Sequence, residues 1–313
     1  MSKGRYHRAY VYGKGKEVRI GEIKKVVEMT VTDTSPEMQL CYNAECFDIE
    51  KWKAYIDGSV PGAKDLCIND MRECINSGYV WEKDFLPVLN EVIRDVEKRI
   101  ETVRVFGEVT DRLDERIVKA FGRPVEADIF LYLGLCNGAG WVTTIDNRTT
   151  VLLGIEKIME LGWYDLAKMT GLIIHELGHV YHKQYGLWDS EMCSLPERFL
   201  RQLFIEGIAM VFEQEVVGDP DFYQQDADGW KQWCDCNAEH IRNSFYKDMH
   251  TMTHEDQRYF GDWVKFEGHG DTGYYLGTKF VRFLLKQDSF DYLIQYDMTK
   301  IREGFDRFML ADL

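Results

Sequence analysis

The sequence predicts an α+β fold, mostly helical, with one small sheet. Three observations predict it. Long stretches carry apolar residues at helical spacing, residues 126–154 alone switch to a strand-and-turn pattern, and the composition is ordinary globular material. With 313 residues, 45% hydrophobic and 29% charged, the chain is long enough for one large domain or two small ones.

Residues 1–25 carry eight lysines and arginines against Glu17 and Glu22, and read as a solvated, partly disordered arm. From Asp48 to Phe106 the pattern is mainly helical. In "KDFLPVLNEVIRDVEKRIETV" the residues Phe85, Leu89, Val92, Val96 and Ile100 mark one helical face. "EADIFLYLGL" then reads as a strand, "CNGAG" as a turn, "WVTTI" as a strand, "DNR" as a turn and "TTVLLG" as a third strand, together a small meander. Helices fill almost all of the rest. The first runs through "GLIIHELGHVYHKQYG" and stops at Gly186. The next opens on a capping box of Ser194 and Glu197 and closes at Gly218-Asp219-Pro220. "HGDTGYYLGTKFVRFLLKQ" reads as a later helix with a strongly apolar face. Residues 1–120 thus form an N-terminal, mainly helical region of unassigned role, and residues 121–313 the domain that carries the chemistry.

The 38 basic and 53 acidic residues leave a net charge of -15, which argues against a nucleic-acid partner. No segment approaches the roughly 18–20 apolar residues that span a bilayer, and the N-terminus has no apolar h-region. The expectation is a cytoplasmic protein whose cysteines are thiols.

The chemistry centres on His175, Glu176 and His179. Residues i and i+4 of a helix stack on one face, so the two histidines offer two imidazoles to one ion. Glu176, about 100° around the helix from His175, stands beside the ion as a base rather than a ligand. This is what a zinc hydrolase needs, Zn2+ being the expected cofactor. A solvated polar stripe is the bland alternative, and the apolar "GLII" just before His175 speaks against it.

A catalytic zinc wants a third protein ligand. Tyr185 occupies the place where three-histidine motifs put theirs. His182 lies roughly 10 Å along the axis from His175, so a supporting or surface place is expected for it. Glu206, in "RQLFIEGIAMVFEQ", is the better candidate, because a carboxylate among Leu203, Phe204, Ile205, Ala209 and Met210 needs a cation. Glu213 is the alternative, and Gly207 would let two helices pack closely.

"HELGH", then a helix with "EGIAMVFE" and later "GYYLGTKFVRFLL", resembles the gluzincin branch of zinc metallopeptidases. More narrowly it is similar to a poorly characterised bacterial family of predicted zinc-dependent proteases. The resemblance covers roughly residues 126–290. It implies His175, His179 and Glu206 as zinc ligands, Glu176 as general base, a peptide or protein substrate, and a zincin-like fold with a small sheet above the active-site helix. Many gluzincins carry an acid four residues after the ligand glutamate, where this chain has Met210. The resemblance also makes "NGAGWVTTI" an edge strand for an extended substrate, although an ordinary glycine-rich hairpin accounts for Gly138 and Gly140 equally well.

For the oxyanion, Tyr274 and Tyr275 are candidates because gluzincins often use a tyrosine or histidine from a C-terminal helix. His269 is the second choice, and packing roles account for the tyrosines equally well. Cys234, Cys236 and His240 lack a partner pair and read as free thiols with a histidine, while His250 and His254 read as surface residues. Two other functions remain open: a zinc hydrolase of a non-peptide amide, and a catalytically silent zincin that binds a partner.

Overall fold

The computed structural model describes residues 29–188, 194–261 and 264–312. The basic stretch 1–25 lies outside them. The chain divides into two compact units, one up to Glu176 and one from Leu177 onward.

The first unit holds the α+β part. Its strands are β1 (Thr30–Asp33), β2 (Tyr42–Asn43), β3 (Cys46–Phe47), β4 (Asp128–Tyr132), β5 (Trp141–Ile145) and β6 (Arg148–Gly154). Its helices are α1 (Ser35–Met38), α2 (Ile49–Ser59), α3 (Lys64–Asn76), α4 (Leu86–Arg94), α5 (Val96–Thr110), α6 (Leu113–Phe121) and α7 (Ile155–Leu161), followed by the start of α8 (Leu166–Tyr185).

The main sheet has the order β1-β4-β6-β5. β1, β4 and β6 run parallel, and β5 is antiparallel to β6. This corrects the meander, which would place β5 in the middle. From Thr150 to Gly154 every residue of β6 is buried, so this strand takes the interior, whereas β5 is at most half-buried and forms an edge. The β5–β6 turn is as expected, with Asp146 and Asn147 at φ 49° and 61°, the left-handed pair of a tight hairpin. β1 is an unexpected strand within residues 1–120, the region read as mainly helical, and it pairs Val31 with Ile129.

The helical face expected from Phe85 to Ile100 breaks at Asp95. Its carboxylate accepts the Lys98 N–H at 2.9 Å and starts a new helix, α5. The buried face then passes to Val105, Phe106 and Val109, while Val96 and Ile100 are 45% and 61% exposed.

The second unit is helical: the rest of α8, then α9 (Leu195–Val217), α10 (Trp230–Cys236), α11 (Ala238–Asp248), α12 (Thr272–Leu284), α13 (Phe290–Leu293) and α14 (Met298–Met309). The predicted ends hold. α8 stops before Gly186, and α9 runs from the Ser194–Glu197 capping box to Gly218 in the left-handed region. α9 and α12 pack backbone to backbone, since a Cβ on Gly207 would sit 2.3 Å from the Gly277 carbonyl oxygen. Gly178 of α8 meets α9 the same way, 2.9 Å from Ala209 Cα. No helix of the described residues is long and apolar enough to cross a membrane.

Candidate metal centre

Helix α8 carries His175 and His179 one turn apart, as the motif requires. His175 is 5% exposed. The side chains of His179 and Glu206 are 13% and 16% exposed, with Nε2 and Oε2 3.4 Å apart. A ligand atom from each of His175, His179 and Glu206 lies within 4.8 Å of the other two. Among the described residues this is the one group of three or more such side chains close enough to share an ion.

The donor set fits a metal. Two ligands each about 2.0–2.1 Å from a tetrahedral ion stand about 3.4 Å from one another. That matches the His179–Glu206 separation, which is long for a charge-assisted hydrogen bond of about 2.7–2.9 Å. Glu206 thus joins the histidines, and Glu213 is not in the group. Burial alone would have chosen wrongly: Glu213 is 0% exposed, more deeply buried than Glu206. Position along α9 separates them: seven residues place Glu213 on nearly the same face but about 10 Å further along the axis.

Glu176 sits beside the backbone that leads into β5. A Cβ on Gly140 would meet Glu176 Cγ and Oε1 at 3.0 Å, so glycine there lets the chain pass against the carboxylate.

His182 is not at the surface. It is 2% exposed, and its ring lies edge-on to Trp188 and Phe204, with centroids 5.4 and 6.2 Å away. Burial, with the nearby His179 and Arg201, lowers its pKa from 6.5 to about 3, so it stays neutral. The Trp188 ring is also edge-on to His179 at 6.2 Å. Arg201 holds this tryptophan, lying 5.9 Å from its ring centroid and bonding its carbonyl. Trp188 was not singled out by the sequence, where a tryptophan just past a helix end carries no metal signal.

The oxyanion candidates have different surroundings. Tyr275 is buried, and its hydroxyl donates to Asp235 Oδ1 at 2.8 Å. Burial and that carboxylate raise its pKa far above the usual tyrosine value. His269 stacks on Trp233 with centroids 3.8 Å apart. Tyr274 is half-buried at the start of α12, edge-on to Phe260 at 5.6 Å. Met210 is fully buried and supplies no acid to the centre. Cys234 and Cys236 are free thiols and His250 and His254 are exposed, as expected, while His240 pairs with Glu267 at 2.8 Å.

Compared with known proteins, the chain matches no protein-family model, no curated protein and no solved structure.

Proposed function

We propose that this protein is a zinc-dependent metallopeptidase of zincin-like fold. The observation that carries the reading is the meeting of His175, His179 and Glu206 within 4.8 Å, with Glu176 on the same helix as the two histidines. Held by these three side chains, zinc would supply Lewis acidity, polarising a substrate carbonyl and making water acidic enough to lose a proton near neutral pH.

The chain's own residues account for the rest. Glu176 accepts the proton as water adds to the carbonyl carbon, and delivers it to the amine nitrogen as the C–N bond breaks. Tyr274, half-buried at the start of α12, is the donor proposed for the developing oxyanion, while the Tyr275 hydroxyl is buried and bonded to Asp235. Among the described residues β5 is the last strand on its side of the sheet, the position at which an extended peptide would add as a further strand. These features support cleavage of peptides over a silent binding module, which has no use for a base beside the metal.

The test is metal analysis of purified protein together with a peptide-library digest, before and after chelation. One zinc per chain and chelator-sensitive cleavage are expected. Cleavage by metal-free protein at the full rate refutes the proposal.

A further inference from the structure

Resting on the metallopeptidase reading, we infer that Glu156 is a positioning residue, clamping the β4–β5 connection so that Gly140 lies against Glu176 and β5 is presented to substrate.

Glu156, on α7, is 1% exposed, and nothing in the reaction above uses it. Its two oxygens take separate backbone donors: Oε2 accepts the Gly134 N–H at 2.9 Å and Oε1 the Cys136 N–H at 3.1 Å. The chain is shaped to admit the carboxylate. A Cβ on Gly134 would lie 2.5 Å from Oε1, and one on Gly154 would lie 3.1 Å from the same oxygen. Cys136 is held at φ 60°, an unfavourable conformation for a residue with a side chain, so something must hold it there.

The rest of the connection is tied down around this clamp. Trp52 Nε1 donates to the Leu133 carbonyl at 2.8 Å, and the Leu133 N–H donates to the Tyr55 hydroxyl at 2.9 Å. Asn137 Nδ2 donates to the Cys67 carbonyl at 2.9 Å and to Asp70 Oδ2 at 2.8 Å. The Gly154 N–H donates to the Ala139 carbonyl at 3.1 Å. What emerges is Gly140, against Glu176, followed at once by β5. A buried carboxylate is a costly way to hold a loop, and a neutral side chain would suffice if the loop were mere connection. Here the clamped segment leads directly to the proposed base and the proposed substrate strand.

The test compares zinc-loaded parent with Glu156→Gln and Gly140→Ala. Glutamine keeps the shape but has one acceptor oxygen, so one of the two N–H groups must face an NH2 donor. Two probes are titrated: acetohydroxamate, which grips only the metal, and an N-acetylated tripeptide hydroxamate, which adds an extended chain. Amide hydrogen exchange is read on the peptide spanning residues 133–140.

Glu156→Gln should speed exchange there about tenfold or more. It should lose about tenfold of the tripeptide's advantage over acetohydroxamate, with acetohydroxamate affinity within about twofold of parent. Gly140→Ala should lose the same advantage with exchange at Gly134 and Cys136 unchanged. If Glu156→Gln matches the parent in exchange and in both affinities, the role of Glu156 is overturned alone. If the parent binds neither hydroxamate, the metallopeptidase reading fails and the role fails with it. If Glu156→Gln does not fold, Gly140→Ala decides: an unaltered tripeptide advantage overturns the link from the connection to the site.

Discussion

Nε2 of His179 faces Oε2 of Glu206 at 3.4 Å, bringing together two residues from different helices that lie 27 positions apart in the chain. Glu206 is also the only anionic member of the group with His175. Glu206→Ala should therefore weaken zinc binding by about 100-fold or more. Glu213→Gln, one face-repeat along α9, should leave it nearly intact. Competition with a chromogenic chelator measures both, and retention of zinc by Glu206→Ala with loss by Glu213→Gln would invert the ligand assignment.

Glu176→Gln should keep the metal and lose about 10²–10⁴-fold in kcat, because the amide has the shape of the acid but accepts no proton. Zinc content and single-turnover cleavage, measured on the same preparation, separate this from loss of the ion. A variant as fast as the parent removes Glu176 from the role of base.

Tyr274→Phe should lower kcat by about 10²-fold with zinc content unchanged, the effect of removing one oxyanion donor. Tyr275→Phe deletes a hydrogen bond to Asp235 instead, so it should lower stability by about 1–2 kcal/mol and leave kcat near the parent value. Denaturant melts and kcat for both variants check this. If Tyr275→Phe is the slow one, the assignments exchange. If neither slows the reaction, the role passes to His269.

His182→Ala should separate packing from metal binding. The ring fills a site walled by Trp188 and Phe204, so its removal should cost about 2 kcal/mol of stability while zinc affinity stays within about twofold. A steep loss of zinc without loss of stability would place His182 among the ligands.

Stability near neutral pH should depend on Glu156. Burial raises its pKa from 4.5 to about 7 against the Gly134 and Cys136 N–H groups, which pull it down. The groups around it are mainly neutral: Tyr42, Tyr55, Cys67, Tyr132 and Cys136, with the Lys157 ammonium next in the chain. A folded-state pKa above the unfolded value gives a contribution complete below about 4.5 and lost as pH rises through about 7. The parent should lose about 3 kcal/mol relative to Glu156→Gln over that interval. Urea melts of both proteins at pH 5 and pH 8, roughly the ends of the titration, check the sign. A constant difference would mean that Glu156 does not titrate there.

By itself the sequence determined what lies within a few residues along the chain. One helical turn separates His175 from His179, so their shared face follows from the backbone period alone. The capping box at Ser194, the stop at Gly186 and the Asp146–Asn147 turn are local in the same sense. The tertiary structure decided whatever joins distant segments. Periodicity cannot say that Thr30 lines up with Asp128, or that β6 lies inside the sheet and β5 at its edge. Glu206 and Glu213 share one face of one apolar helix, and only their places along its axis, seven residues or about 10 Å apart, bring one and not the other to the histidines. Glu156 is invisible for the same reason: its partners are backbone N–H groups about 20 residues back in the chain, and a carboxylate's burial depends on a fold that no local pattern records.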